Sequence, residues 1–563
     1  MIIIREKKYH NVTQYFDKGC GVHFNNFRVG DAGYIYGWTL CIGDKHYKGF
    51  TPDEFKQTLN KIIEEYNLTV YSENKKDVMV IFVDNIYKVY GFFKDVISDY
   101  FPKDDLDHLN SVTIYDVFEF RDISVWNDEL HGAVEIADYA QFLINEVFQN
   151  KHDKYFYSSP QQMSRRWLRK YVGKDKTASK LFPTQWKEYL YYKEAVFGGI
   201  NYAVPGIYEH YLKYDLCSAY IFCMLIKKHC MSEKESLANP SRYTVFKDKP
   251  FIGRFKIKYK NYRHGIQCYK DVDKNDIPES GTAHILLSDI DLANFCKICD
   301  VEEIRCGSLL LYKRDYLPKA NRDFLVDMFL DKQHNKGNQK LYKIIKKMLN
   351  SAGYGDSIRD LPRGLSYKKH RDKATTIPEW GIEALAYCKE MILSIGLNAE
   401  DWIYTATDSV IIKDTPENRK LVEEFNKKIQ QEVKEFCDLF GYDFESLKSL
   451  GQFELEDEVD KIRVRGHNSY GYSAGDKFEV KAGGYDYSNI EFGPEYFDLE
   501  KLPGGHRTVR MLTDKYNSIE VNGIKLESFG SYYEISGDDE DAENLTKAMM
   551  IYGALKKINK NEK

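Results

Sequence analysis

The chain has 563 residues, of which 43% are hydrophobic, 30% charged and 15% aromatic, with 44 tyrosines. It is too long for one hydrophobic core, so about three or four packed units are expected, and the composition excludes a largely disordered or collagen-like chain. With 81 Lys+Arg against 86 Asp+Glu the net charge is -5, which argues against a nucleic-acid coat protein and leaves room for an enzyme with a local basic groove.

No apolar run approaches the roughly 20 residues of a membrane span, and Ile2-Ile3-Ile4 is too short for a secretory signal. The 11 cysteines include one C-x-x-C, Cys296 and Cys299, without a second pair to complete a zinc site. A reduced, cytoplasmic protein with no membrane partner is expected.

Strands and helices mix over the first 190 residues or so. Residues 34–40 and 78–83 read as buried strands. Residues 52–66 read as an amphipathic helix with Phe55, Leu59, Ile62 and Ile63 on its apolar stripe. A basic run at 165–170 leads into a linker at 171–190. Gly198 and Gly199 then precede a strand ending at Tyr214-Asp215. A long helical stretch over 319–352, broken by Gly337, carries Lys332, Lys336, Lys340, Lys343, Lys346 and Lys347. A basic, hairpin-like loop from Arg359 to Lys373 follows, then a helix at 379–395 and a strand at 402–404 that turns back as 410–412. The last 110 residues read as strands between Gly-rich turns, closing in a helix at 541–557 whose N-terminus the acids at 538–541 complement.

Three of these elements carry chemistry. Asp215 ends a strand in Y-D-L-C-S-A-Y, Asp408 tips a hairpin in Y-T-A-T-D-S-V, and Lys346 closes the basic helix in K-K-M-L-N-S-A-G-Y-G. Taken singly, each has an ordinary structural reading, as a helix cap, a turn residue or a solvated face. Together they fit phosphoryl transfer from a nucleoside triphosphate. That reaction uses two magnesium ions roughly 3.5–4 Å apart, held by carboxylates from different strands. Magnesium keeps waters and needs few protein carboxylates, and lysines supply fixed charge for the triphosphate.

In these residues the sequence resembles family B DNA polymerases, and most closely their small protein-primed phage branch. Asp215–Ile221 (D-L-C-S-A-Y-I) is similar to the first palm motif, D-x-x-S-L-Y-P. Lys346–Gly355 is similar to the fingers motif, K-x-x-x-N-S-x-Y-G, and Tyr404–Ser409 to the second palm motif, Y-x-D-T-D-S. Phe197-Gly198-Gly199 resembles the Y-x-G-G element that contacts template DNA, and Pro378–Gly381 stands where the family re-enters the palm. The resemblance covers residues 190–480 well and the remainder loosely. It implies a multidomain α/β (α+β) chain with a right-hand polymerase fold: an N-terminal ribonuclease-H-like domain (1–190), a palm in two parts (191–330, with an insertion, and 376–452), fingers (331–375), and a thumb with the C-terminal region (453–563).

Site roles follow from the resemblance. Asp215, Asp408 and the Leu216 carbonyl would hold two Mg2+ ions, with Mn2+ as a substitute. Lys346 would contact the incoming deoxynucleoside triphosphate, helped by Lys332 or Lys336. Ser218, Ala219, Tyr220, Asn350 and Tyr354 would line the nucleotide site, with Tyr220 excluding a 2′-hydroxyl. Phe197, Gly198, Gly199, Tyr404, Thr407, Arg463, Arg465 and Tyr470 would contact the DNA primer-template.

The sequence also departs from the family. Ile221 replaces the motif proline, and Ala406 replaces the first acid of the second palm motif. The primer-gripping K-x-Y is reduced to Asn468-Ser469-Tyr470. The fingers motif holds one extra residue, so its Asn register selects Lys346 and its Tyr-Gly register Lys347; the spacing within one helix favours Lys346. In the N-terminal domain the exonuclease acids are missing: Asn25 and Asn26 stand where D-x-E belongs, Val89 fills the second position, and only Asp138 survives of the third motif. Asp17 and Asp31 are the acids that a rearranged site would use. The expectation is a polymerase without proofreading, from a phage or mobile element and so in the host cytoplasm. The 131 positions between Asp215 and Lys346 leave room for an insertion that receives a terminal protein or another replication protein. The alternative is a catalytically weakened polymerase fold that binds DNA or protein.

Overall fold

The computed structural model describes residues 2–6, 9–11, 20–29, 32–50, 52–66, 80–83, 110–116, 129–148, 155–157, 159–173, 175–238, 249–263, 265–273, 275–361, 363–482, 506–510, 519–521, 524–526 and 532–536. The chain divides into two compact units, the first drawn from Met1–Met163 with most of the C-terminal residues, the second running from Ser164 to Lys481.

Among the described residues, the first unit is built on a six-stranded sheet. Its strands are β1 (Ile2–Glu6), β2 (Cys20–Val29), β3 (Ala32–Ile42), β4 (Lys45–Gly49), β5 (Val80–Val83) and β6 (Asn110–Asp116), in the order β1-β6-β5-β2-β3-β4. β2, β3 and β4 form an antiparallel meander, and β5 and β6 run parallel to β2. Helix α1 (Pro52–Glu65) buries Phe55, Leu59 and Ile62, as its stripe predicts, and Phe55 meets Trp38 edge-on at 4.9 Å. Helix α2 (Glu129–Phe142) packs on β2 so closely that a Cβ at Gly21 would come 2.3 Å from the Ala137 nitrogen.

The second unit opens with α3 (Pro160–Val172) and α4 (Trp186–Glu194). α4 and a short helix at Thr177–Leu181 occupy the stretch expected to be a linker. The central sheet has seven strands: β7 (Ile200–Ala203), β8 (Gly206–Leu216), β13 (Trp402–Thr407), β14 (Ser409–Lys413), β15 (Phe453–Gly466), β16 (Ser469–Ala474) and β17 (Lys477–Ala482), in the order β17-β16-β15-β8-β14-β13-β7. The strands at 453–482 therefore join the same sheet as β8. Between β8 and β13 the chain makes α5 (Ala219–Ile226) and a four-stranded sheet of β9 (Glu235–Ala238), β10 (Phe251–Lys260), β11 (Gly281–Ser288) and β12 (Asp300–Leu311) with α6 (Asp289–Lys297).

The long basic stretch is two helices, α7 (Lys319–His334) and α8 (Gln339–Asn350), parted at Gly337 as expected. Residues 359–373 do not form a hairpin; they contain helix α9 (Leu365–Arg371), anchored by the Tyr367 hydroxyl donating to the Pro183 carbonyl at 2.7 Å. α10 (Pro378–Gly396) is buried over most of its surface, and α11 (Pro416–Phe440) follows β14. The expected helix at 541–557 lies outside the described residues. Among those residues no helix is long and apolar enough to cross a membrane.

α10 is keyed into place by buried ion pairs. Glu383, fully buried, accepts from Arg314 Nε at 2.6 Å, from the Tyr312 hydroxyl at 2.9 Å and from the Cys230 backbone N–H at 2.8 Å. Arg314 also grips Asp289 through two bonds of 2.6 and 2.7 Å. Burial works to raise the Glu383 carboxyl, but Arg314 beside it holds it down at about 2. Removing Glu383 leaves buried donors unpaired, so Glu383→Ala should cost about 3–5 kcal/mol in denaturant unfolding at neutral pH. Because the folded state depresses this group, its contribution is present above about pH 4 and fades as the pH falls toward 2; the loss caused by Glu383→Ala should shrink over that range.

Candidate active site

The two carboxylates meet where β8 and β14 run antiparallel. Asp215 is paired with Ser409 and Tyr214 with Val410, so residue 408, at the tip between β13 and β14, lies against the end of β8. The Leu216 N–H donates to the Asp408 carbonyl at 2.9 Å and fixes that placement. The hairpin turns in the two residues between the paired Ala406 and Ser409, and Thr407 there adopts φ of +61°, a left-handed conformation that a β-branched residue takes only under strain. Its hydroxyl donates to Asp408 Oδ1 at 2.7 Å. Across the site Ser218 also has positive φ, +51°, where the chain leaves β8 and enters α5. Strained residues thus flank both carboxylates, consistent with a functional site.

Burial pushes the Asp215 carboxyl well above the usual carboxylate range, and the charges of Asp408 and Glu456 push it further. Asp408 is raised as well, chiefly by burial. Lys346 opposes both shifts. Lys346, the lysine favoured by helix spacing, is thus one whose charge the pair feels. Lys332 is 6% exposed, and its ammonium donates to Ser218 Oγ at 2.7 Å. Burial lowers Lys332, with Lys346 and Lys336 adding to the effect. Lys332 of α7 and Lys346 of α8 therefore converge on the turn after Asp215.

The extra residue of the fingers motif is absorbed in the backbone. Residues Ser351–Gly355 form a π-helical turn at the end of α8, the wider turn by which a helix accommodates one inserted residue. Lys346 and Asn350 keep their α-helical spacing upstream. Tyr354, beyond the wide turn, lies against Tyr220 with ring centroids 4.2 Å apart. Gly353 brings this turn close to α5, since a Cβ there would stand 2.7 Å from Ile221 Cδ1, the movable end of that side chain. Two departures from the motifs, the added residue and Ile221 in place of proline, thus pack against each other.

The remaining expected residues divide. Gly199 touches the Asp408 hairpin, where a Cβ would be 2.9 Å from Thr407 Cα, and Gly198 is exposed with open space beside it. Phe197 is buried, edge-on to Tyr269 at 5.3 Å, and is part of the core. Tyr404 and Tyr470 are also buried, 4.7 Å apart in one aromatic cluster. Ala219 is buried at the start of α5, Asn350 is half-buried at the end of α8, and Lys336 is exposed between α7 and α8. Arg463 and Arg465 alternate with the buried Ile462 and Val464, which places them on the other face of β15 from Tyr470. Sequence reasoning passed over Glu456. A bulge opposite Lys213 and Tyr214 makes it the extra residue on β15 and brings its charge near both aspartates.

Among the described residues, no group of three or more His, Cys, Asp or Glu side chains is gathered to hold a metal by itself. Two desolvated, mutually repelling carboxylates beside the Leu216 carbonyl do fit a hard cation that completes its shell with water and substrate oxygens.

No protein-family model matches the sequence, and no curated protein matches it. Three solved structures of phi29 DNA polymerase share the fold. They are the complex with primer-template DNA (TM-score 0.61), the ternary complex with primer-template DNA and incoming nucleotide (0.58) and the complex with single-stranded DNA (0.60). Each is 14% identical, and each comparison covers 92% of this chain and 99% of the other. The resemblance drawn from the motifs therefore holds in the architecture.

The raised carboxylates give a testable consequence. A group held above its unfolded value loses folding free energy as the pH rises from that value through the folded one. In chelator, Asp215→Asn should therefore raise the melting temperature at pH 8 and leave it nearly unchanged at pH 4.

Proposed function

We propose that this chain is a family B DNA polymerase that extends a primer 3′-hydroxyl with deoxynucleoside triphosphates on a DNA template, without 3′→5′ proofreading. The observation that carries this reading is the juxtaposition of Asp215 and Asp408 on adjacent strands, under the charge of Lys346. The fold supports it, since solved structures of that fold hold primer-template DNA and an incoming nucleotide.

In this reading residues 191–330 and 376–452 make the palm, 331–375 the fingers, and 453–563 the thumb and C-terminal region, whose strands β15 to β17 pair into the palm sheet. Two magnesium ions, held by Asp215, Asp408 and the Leu216 carbonyl, would offset charge on the attacking and leaving oxygens. Lys346 and Lys332 bind the triphosphate, and Lys332, bonded to Ser218, orients it over the turn into α5. Tyr220, backed by Tyr354, forms the floor under the sugar and excludes a 2′-hydroxyl. The primer hydroxyl attacks the α-phosphate in line, and pyrophosphate leaves toward the lysines.

The first unit supports an exonuclease-like fold emptied of its chemistry. Its order β4-β3-β2-β5-β6-β1, a meander followed by three parallel strands, supports a ribonuclease-H-like arrangement with one strand added at the edge. Asn25 and Asn26 lie on β2, where acids would be needed, and Asp138 is exposed on α2. Val89, Asp17 and Asp31 lie outside the described residues. The β9–β12 sheet with α6 supplies the insertion between Asp215 and Lys346, where a terminal protein or another replication protein would dock in a phage or mobile element.

Primer extension on a defined template, with magnesium and four deoxynucleotides, tests the reading. Templated extension should occur, Asp408→Asn should reduce it at least about a thousandfold, and a mismatched primer end should not be shortened. Absence of extension with either magnesium or manganese, from a DNA primer or a protein hydroxyl, would instead favour the binding-component alternative and make Ala406 the first residue to revert to Asp. A second assay concerns the sugar: Tyr220→Ala should raise ribonucleotide incorporation by about tenfold or more while deoxynucleotide incorporation persists.

A further inference from the structure

The sheet face that bears Asp215 also bears a lysine to which the polymerase reading gives no role. Lys213 lies two residues before Asp215 on β8, so strand alternation turns both side chains to one face. Its side chain is only 6% exposed, and its ammonium lies 2.7 Å from Glu456 Oε2 and 4.0 Å from Asp457 Oδ2. It also stands 5.2 Å over the Tyr472 ring. The bulge on β15 creates this pairing, because it sets Glu456 beside Lys213 as the residue without a cross-strand partner.

The surroundings are acidic. Asp408, Asp215, Glu456, Asp457 and Glu479 follow one another along this side of the sheet, and the Tyr472 hydroxyl stands between the last two, 2.5 Å from Asp457 and 2.8 Å from Glu479, with its one proton to share between them. Such a row repels a phosphate backbone unless cations offset it. Lys477 serves the Asp457–Glu479 end but is half exposed. Lys213 is the buried cation nearest the carboxylate pair among the residues of β8, β15 and β16.

The place where a cation is absent lies on the same row of rings. Position 468 holds Asn in N-S-Y, and its backbone faces the Tyr404 hydroxyl. Tyr404 meets Tyr470 at 4.7 Å, and Tyr470 stacks on Tyr472 at 6.1 Å, the ring beneath Lys213. Residues 213 and 468 thus stand at the two ends of one three-tyrosine row.

We propose that Lys213 is a positioning residue for the primer strand, acting through Glu456 and Asp457 to offset the acidic row beside Asp215 and so supplying from β8 the charge that a lysine at position 468 would supply. This rests on the polymerase reading.

The test uses the full chain and three variants: Lys213→Met, Lys213→Arg and Lys213→Met with Asn468→Lys. Primer-template affinity is read by fluorescence anisotropy without nucleotide, folding by thermal melting, and kcat and KM for deoxynucleotide by primer extension. Lys213→Met should weaken DNA binding about tenfold and lower kcat, with KM for nucleotide unchanged. Lys213→Arg should bind DNA within about threefold of the native chain. Asn468→Lys should restore most of the affinity that Lys213→Met loses. A folded Lys213→Met with native affinity overturns the proposal, and so does a loss that Asn468→Lys leaves uncorrected, which would mark Lys213 as a structural charge. Should Lys213→Met fail to fold, Lys213→Met with Glu456→Gln replaces it, since that pair leaves no buried charge alone. The proposal then falls if Asn468→Lys raises affinity no more in that background than in the native chain. A native chain that extends no primer would sink the polymerase reading, while the affinity comparison needs no extension and still decides the role of Lys213.

Discussion

Two carboxylates that repel each other are held together at the end of a sheet, and much of the second unit is arranged around that constraint. Asp215 arrives on β8 and Asp408 on the β13–β14 hairpin, and one backbone bond, from Leu216 to the Asp408 carbonyl, locks them in register. Neither strand could relax the repulsion without breaking the pairing of Asp215 with Ser409. The compensating charge therefore comes from elsewhere in the chain, from Lys346 on α8 and from Lys213 on the same strand. A site of this kind is incomplete by construction, since its residual negative charge is matched only when cations are present.

That tension requires a rigid support, and α10 provides it. The helix packs against α5, which begins at the turn after Asp215, and against the π-helical turn that carries Tyr354. Its three buried charges each find a partner from a different segment: Glu383 with Arg314, Lys389 with Asp291 at 2.9 Å, and Glu379 with Lys234 at 2.6 Å. Buried pairs of this sort add little net stability compared with apolar packing, but they discriminate strongly against a slipped register. A helix apolar around most of its circumference could rotate or slide with little change in buried area. Three charge pairs at fixed positions leave it one setting.

The parts of this architecture that were legible in the sequence are those set by local pattern. The strand ending at Asp215, the hairpin around Asp408, the helix of lysines and its break at Gly337 follow from alternation, periodicity and a turn residue. The segments that were misread take their structure from distant contacts. Residues 365–371 form a helix whose Tyr367 is bonded to the Pro183 carbonyl, and residues 186–194 form one whose Tyr189 hydroxyl donates to the Arg359 carbonyl. Those two misreadings share one cause, since each segment braces the other. Glu456 was invisible for a related reason. A bulge is a property of two paired strands, and nothing in E-L-E-D-E-V-D indicates which residue the partner strand will leave over. The burial of Phe197 against Tyr269 likewise depends on a segment some seventy positions away.

The π-helical turn at Ser351–Gly355 has a consequence for how such chains are related to one another. An added residue in a surface loop lengthens the loop and leaves its ends in place. The same addition inside a helix would ordinarily rotate everything downstream by about 100° and carry Tyr354 away from Tyr220. Widening one turn confines the disturbance to five residues, and the rings still meet. Spacing along the chain and spacing in three dimensions are thereby uncoupled at the point where a motif is most diagnostic. A search pattern with fixed gaps reads this stretch as a broken signature, whereas a description by distances would find it intact.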